Sequence, residues 1–127
     1  MGKVIAIANQ KGGVGKTTTS INLGAALASM GKQILLIDLD EQANATIGLG
    51  FSRELLDVTS YDLLVCNHMI EESIYKTNYS NLDIIPASNK LSKLEVDLYS
   101  REDKEYILVK KIIYVKDNYD YVLIDCP

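Results

Sequence analysis

The sequence predicts an α/β fold: a mostly parallel sheet with helices on both faces. Three observations carry this. Apolar runs of strand length recur at residues 3–8, 33–38, 82–86 and 121–125 without polar alternation, as in strands buried on both faces. An Ala- and Leu-rich helical stretch separates the first two runs. A glycine-rich turn joins the first run to that helix, so the opening reads strand, turn, helix, strand. That is a βαβ unit with a right-handed crossover.

Taken in order, residues 3–8 (Lys-Val-Ile-Ala-Ile-Ala) form the first strand and residues 9–15 the turn. Residues 16–30 form a helix whose Gly24, Ala25 and Ala28 permit close approach to a sheet, with Gly31 at its C-cap. Residues 33–38 are the second strand. Residues 40–50 are polar and glycine-punctuated, a loop leading into a short helix. Residues 52–80 carry the weakest pattern: Ser60 is read as the cap of a short helix over 61–66, and residues 71–75 as another. Residues 82–86 are the third strand. Residues 88–99 are read as helical, with Leu91, Leu94 and Leu98 on one face. Residues 102–115 form a further helix with Tyr106, Val109 and Ile113 on one stripe and Leu108, Ile112 and Val115 on the next. Residues 121–125 are the fourth strand. The tyrosines are assigned to core or rim packing, and Lys90, Lys93, Lys110 and Lys111 to solvated helix faces.

The 127 residues suffice for one domain with a real core. A hydrophobic content of 47% argues against disorder. There are 13 basic and 17 acidic groups, a net charge of −4, with the acidic excess in both halves. That balance excludes a self-sufficient nucleic-acid binder. The single His68 and the distant Cys66 and Cys126 fit no metal-ligand spacing, and both thiols are read as reduced small hydrophobes. No apolar run approaches the ~18 residues of a membrane span, and no secretory pattern opens the chain. A cytoplasmic protein without membrane contact is expected. Because the sequence stops directly after its last strand, residues 1–127 are expected to be the N-terminal part of a single larger domain.

The strongest chemical signal is Gln10-Lys11-Gly12-Gly13-Val14-Gly15-Lys16-Thr17-Thr18, set between strand and helix. Glycines let the backbone turn tightly so that successive N–H groups converge on an anion. The helix N-terminus adds its dipole at the same place. The stretch therefore reads as a P-loop: a cradle from Gly12, Gly13, Val14, Gly15 and Thr18, Lys16 as the charge on the β- and γ-phosphates, and Thr17 as a Mg²⁺ ligand. Gln10 stands where the standard pattern has glycine, and Lys11 is a second lysine inside the loop.

Lys11 to Thr18 resembles the deviant Walker A motif of the ParA/MinD group of ATPases, whose members tolerate a non-glycine at the first loop position. The resemblance implies a P-loop NTPase fold binding ATP and Mg²⁺. It also implies that Lys11 reaches the partner's phosphates across an ATP-bound homodimer, stabilising developing charge in trans. Asp38-Leu39-Asp40-Glu41-Gln42-Ala43-Asn44-Ala45-Thr46 resembles the switch segment of ParA/Soj partition proteins. The resemblance implies that Asp40 positions the attacking water and that Asp38 lies near Mg²⁺. Read without it, two carboxylates after a strand also fit a polar loop or a helix cap. Residues 121–125 resemble a Walker B strand truncated just beyond its Asp125, which is implied to hold Mg²⁺; Cys126 takes no role.

For an intact protein the resemblance implies slow ATP hydrolysis in chromosome or plasmid partitioning. A ParB-type partner stimulates it, and DNA is bound non-specifically through a C-terminal half, placing the ATP-bound protein on the nucleoid. Little activity is expected of residues 1–127 alone. The first strand should also show an open outer edge, because its family partner lies in that half. Two other readings stay open: a MinD-like ATPase acting at a membrane surface, and a non-catalytic module that binds a phosphate or nucleotide.

Overall fold

The computed structural model describes residues 2–8, 14–103 and 106–127. The sheet contains β1 (Lys3–Ile7), β2 (Ile34–Asp38), β3 (Tyr75–Lys76), β4 (Leu82–Ile85) and β5 (Tyr121–Asp125), in the order β1-β5-β2-β4-β3. The first four strands of that order run parallel. The two-residue β3 pairs antiparallel with β4 and was not foreseen. The helices are α1 (Val14–Ser29), α2 (Asn44–Gly48), α3 (Ser60–Val65), α4 (Leu94–Asp97) and α5 (Ile107–Ile112).

β2 lies between β5 and β4, and all five of its residues are buried. Its alternate side chains feed two cores. Ile34 and Leu36 pack with Ala28, Ala45, Leu49, Leu82, Ile84 and Leu123 on the α1–α2 face. Leu35 and Ile37 pack with Leu63, Ile70, Ile85, Ile112, Val115 and Val122 on the α3–α5 face. Complete burial of each aliphatic side chain contributes roughly 1.5–3 kcal/mol, so β2 anchors the fold. α1 sits close to the sheet at Gly24, where an added Cβ would stand 3.4 Å from Leu82 Cδ1. Gly31, at φ +86°, ends α1. Its N–H donates to the Ala28 carbonyl and that of Lys32 to the Leu27 carbonyl, closing a Schellman motif.

Several local expectations need correction. The residue capping α3 is Thr59, not Ser60: Thr59 and Asp62 form a capping box, and Ser60 is the first helical residue. Residues 71–75 do not form an α-helix; a 3₁₀ turn over Ile70–Ser73 leads into β3. Residues 88–99 divide into a 3₁₀ segment, Asn89–Lys93, and the single turn of α4, with Leu91 and Leu98 buried as expected. The last helix is far shorter than 102–115, and only one of its stripes faces the core. Ile112 and Val115 are buried, whereas Tyr106, Val109 and Ile113 are exposed. Tyr79, Tyr99 and Tyr114 are exposed as well, so the tyrosines are not uniformly packing residues. Both cysteines are free thiols, Cys66 exposed and Cys126 half-buried.

Among the described residues β1 pairs with β5 alone, on one side. Val4 and Ile5 on its outer edge are 47% and 37% exposed. Among the described residues no helix is long and apolar enough to cross a membrane.

Candidate active site

In a parallel sheet every strand delivers its C-terminal residue to the same edge, where ligands gather in open α/β folds. Here that edge receives Asp38 from β2 and Asp125 from β5, which are direct register partners, with Ile7 of β1 beside Asp125. The Leu39 N–H donates to the Asp125 carbonyl at 3.0 Å, and the Cys126 N–H to the Ile7 carbonyl at 3.0 Å. The three strand ends are thus tied just past the last ladder pair.

Asp38 is fully buried and accepts three hydrogen bonds. Its Oδ1 takes the Asp40 N–H at 3.1 Å. Its Oδ2 takes the Thr46 N–H at 3.0 Å and the Thr46 hydroxyl at 2.7 Å. These donors favour the ionised form, yet burial outweighs them. Desolvation raises the Asp38 pKa from 3.8 to about 6, and the neighbouring Asp125 charge adds to the rise. Asp125 is likewise fully buried, and its Oδ1 accepts the hydroxyl of Ser20 from α1 at 3.1 Å. Two hard carboxylate oxygen donors side by side in a dry site are suited to Mg²⁺, whose charge would relieve their repulsion.

α1 starts six residues after Ala8, so its N-terminus stands over this same edge. Its first turn contains no acidic residue. Lys16 belongs to that turn, and a helix N-terminus is the end that favours an anion. Val14, Gly15, Lys16, Thr17 and Thr18 all lie within the first turns of α1. Lys11, Gly12 and Gly13 lie outside the described residues.

Asp40 is half-buried in the loop beyond β2. Its Oδ1 accepts the Gln42 N–H at 3.0 Å and its carbonyl accepts the Ala43 N–H at 2.9 Å, so the carboxylate shapes its own loop. The structure thus brings Asp38 and Asp125 together, with Asp40 two residues past the end of β2. Sequence reasoning missed Ser20 and gave Thr46 no role. Ser20 could have been found from the α1 periodicity, since it shares a stripe with Gly24 and Ala28, the residues expected to face the sheet.

Comparison with known proteins gives the same family. An AAA domain description matches residues 2–127. The chain belongs to the AAA-domain family, in its ParA/Soj group. This ParA/Soj-type chain is 50% identical over 127 residues to the sporulation initiation inhibitor protein Soj of Bacillus subtilis, covering all of this chain and 50% of that protein. It is 50% identical to the chromosome-partitioning ATPase Soj of Treponema pallidum, covering all of this chain and 49% of that one. Among solved structures, the cobyrinic acid a,c-diamide synthase of Mycobacterium smegmatis with bound ADP and magnesium superposes with a TM-score of 0.95 at 37% identity, covering all of this chain and 51% of that one. The fold is that of a P-loop NTPase. The ParA/Soj-type chain spans about half the length of the curated relatives it matches.

Proposed function

We propose that this chain is the phosphate- and magnesium-binding part of a ParA/Soj-type ATPase acting in chromosome or plasmid partitioning, the N-terminal portion of a single domain. The observation that carries the reading is the register pair Asp38–Asp125 at the sheet edge over which α1 begins. In this reading the amides of Gly12, Gly13, Val14, Gly15 and Thr18 cradle the phosphates and Lys16 neutralises them. Thr17 and Asp125 hold Mg²⁺, with Asp38 beside it, and Asp40 orients the attacking water. Lys11 acts on the nucleotide of a second copy. Bound ATP·Mg²⁺ supplies the phosphoanhydride to be cleaved and the cation that screens it. In the intact protein this activity accompanies ATP-dependent dimerisation, non-specific DNA binding in the cytoplasm and stimulation by a ParB-type partner.

The test is binding of a fluorescent ATP analogue, with and without Mg²⁺, by the intact protein and by Lys16→Ala. The expected result is Mg²⁺-dependent binding that the substitution weakens at least about tenfold, the loss of a charge-assisted phosphate contact. Binding that ignores both Mg²⁺ and Lys16 overturns the reading.

A further inference from the structure

Thr46 holds a position the reading above does not use. It is fully buried at the third residue of α2. Its hydroxyl lies 2.7 Å from Asp38 Oδ2 and 2.9 Å from the Ala87 amide nitrogen. The direction of each bond is forced. An amide N–H can only donate, so it occupies a hydroxyl lone pair, and the single O–H proton goes to the carboxylate. The Thr46 N–H reaches the same Oδ2. One residue thus fixes one carboxylate oxygen twice, and is itself oriented from β4's end of the sheet.

The loop between Asp38 and Thr46 closes across that carboxylate, since the Asp40 N–H takes Oδ1. Within it Ala43 adopts φ 55°, ψ 33°, a left-handed conformation that is strained for an alanine. Surrounding contacts must hold it: Ala43 is fully buried against Tyr61, Ala87 and Leu91. Ala87 therefore braces the loop twice, by its amide through Thr46 and by its side chain through Ala43. The Ser60 hydroxyl secures the Asp38 backbone by donating to its carbonyl at 2.7 Å.

We propose that Thr46 is a positioning residue: its hydroxyl, oriented by the Ala87 amide, aims the Asp38 carboxylate at the Mg²⁺ position and fixes the loop carrying Asp40. The proposal rests on the nucleotide reading above. Outer partners that orient a metal-binding carboxylate are commonly worth 10–100-fold in metal affinity. Thr46→Val keeps the shape and removes the hydroxyl; Thr46→Ser keeps the hydroxyl. Both are made in the intact protein and studied well below their melting temperatures.

Binding of the fluorescent ATP analogue without Mg²⁺ should be unchanged in both variants. The Mg²⁺ concentration giving half-maximal enhancement should rise about tenfold or more in Thr46→Val and stay near wild type in Thr46→Ser. A second readout needs no nucleotide: hydrogen exchange at the Ala87 amide should accelerate in Thr46→Val and remain slow in Thr46→Ser. A folded Thr46→Val with the wild-type Mg²⁺ requirement overturns the proposal alone. Absence of Mg²⁺-dependent ATP binding in the wild-type protein removes the nucleotide reading, and this proposal with it. Should Thr46→Val not fold, a Thr46→Ser protein with a shifted Mg²⁺ requirement and fast Ala87 exchange counts against the proposal, and one matching wild type in both supports it.

Discussion

Asp38 and Asp125 are register partners at the ends of adjacent parallel strands, so two fully buried carboxyl groups share one edge of the sheet. A pair of like charges removed from water is unfavourable unless one is protonated or a cation arrives. The site is therefore poised between a proton and a metal ion.

This gives a pH dependence of defined sign. The Asp38 pKa is raised from 3.8 to about 6 by burial. Between those values the folded chain retains a proton that the unfolded chain releases. The contribution to stability is complete below about pH 4 and disappears as pH rises through about 6, up to about 3 kcal/mol for a shift of this size. Other carboxylates titrate nearby, so the quantity to measure is a difference. Urea midpoints of the metal-free wild-type protein relative to Asp38→Asn should fall between pH 4.5 and 7.5. A constant difference across that range contradicts the assignment.

Lys11→Ala separates action in trans from phosphate binding. ATP binding should stay within a few-fold of wild type, whereas hydrolysis by the intact protein should fall on the order of 10³-fold, as when a cation supplied in trans is lost from phosphoryl transfer. ATP-dependent dimerisation, followed by analytical ultracentrifugation, should disappear together with hydrolysis. Normal turnover in Lys11→Ala rules out the trans role.

The open edge of β1 predicts self-association of the 127-residue chain. Val4 and Ile5 are exposed there, and Val4 also lines a cavity of about 210 Å³ with Leu108, Val109, Ile113 and Ile124. Lysine on an edge strand blocks strand-to-strand addition. Val4→Lys should therefore lower concentration-dependent association in light scattering while leaving the melting temperature nearly unchanged.

Gly31→Ala isolates a backbone effect. An added Cβ meets nothing within 4 Å, while φ is +86°. The substitution should cost about 1 kcal/mol through conformation alone, read as a lower denaturation midpoint with unchanged denaturant dependence. A neutral result shows that the helix end rearranges without penalty.

The two-faced core of β2 was legible because Ile34–Asp38 is a run of large apolar residues with no alternation, a pattern that only burial on both sides makes favourable. The helix that follows the glycine-rich stretch was legible from its run of Ala and Leu, and α1 spans Val14–Ser29. α3 to α5 were harder to read. They run four to six residues, too short for helical periodicity to single out one face, and tertiary contacts fix their ends, as where the Ser60 N–H at the start of α3 donates to the Pro86 carbonyl at 2.7 Å. The stripe of Tyr106, Val109 and Ile113 has the helical spacing of a core face yet is exposed, since periodicity records which residues share a face and not what that face meets.

Local chemistry along the chain determined the strands, the first helix with its glycine stop and the presence of acidic residues at strand ends. Only the folded sheet decided that Asp38 and Asp125, 87 residues apart in the chain, become neighbours, and that Thr46 and Ser20 hold them. Strand order and register are set by long-range packing, which brings together residues whose separation in sequence carries no information about their distance in space.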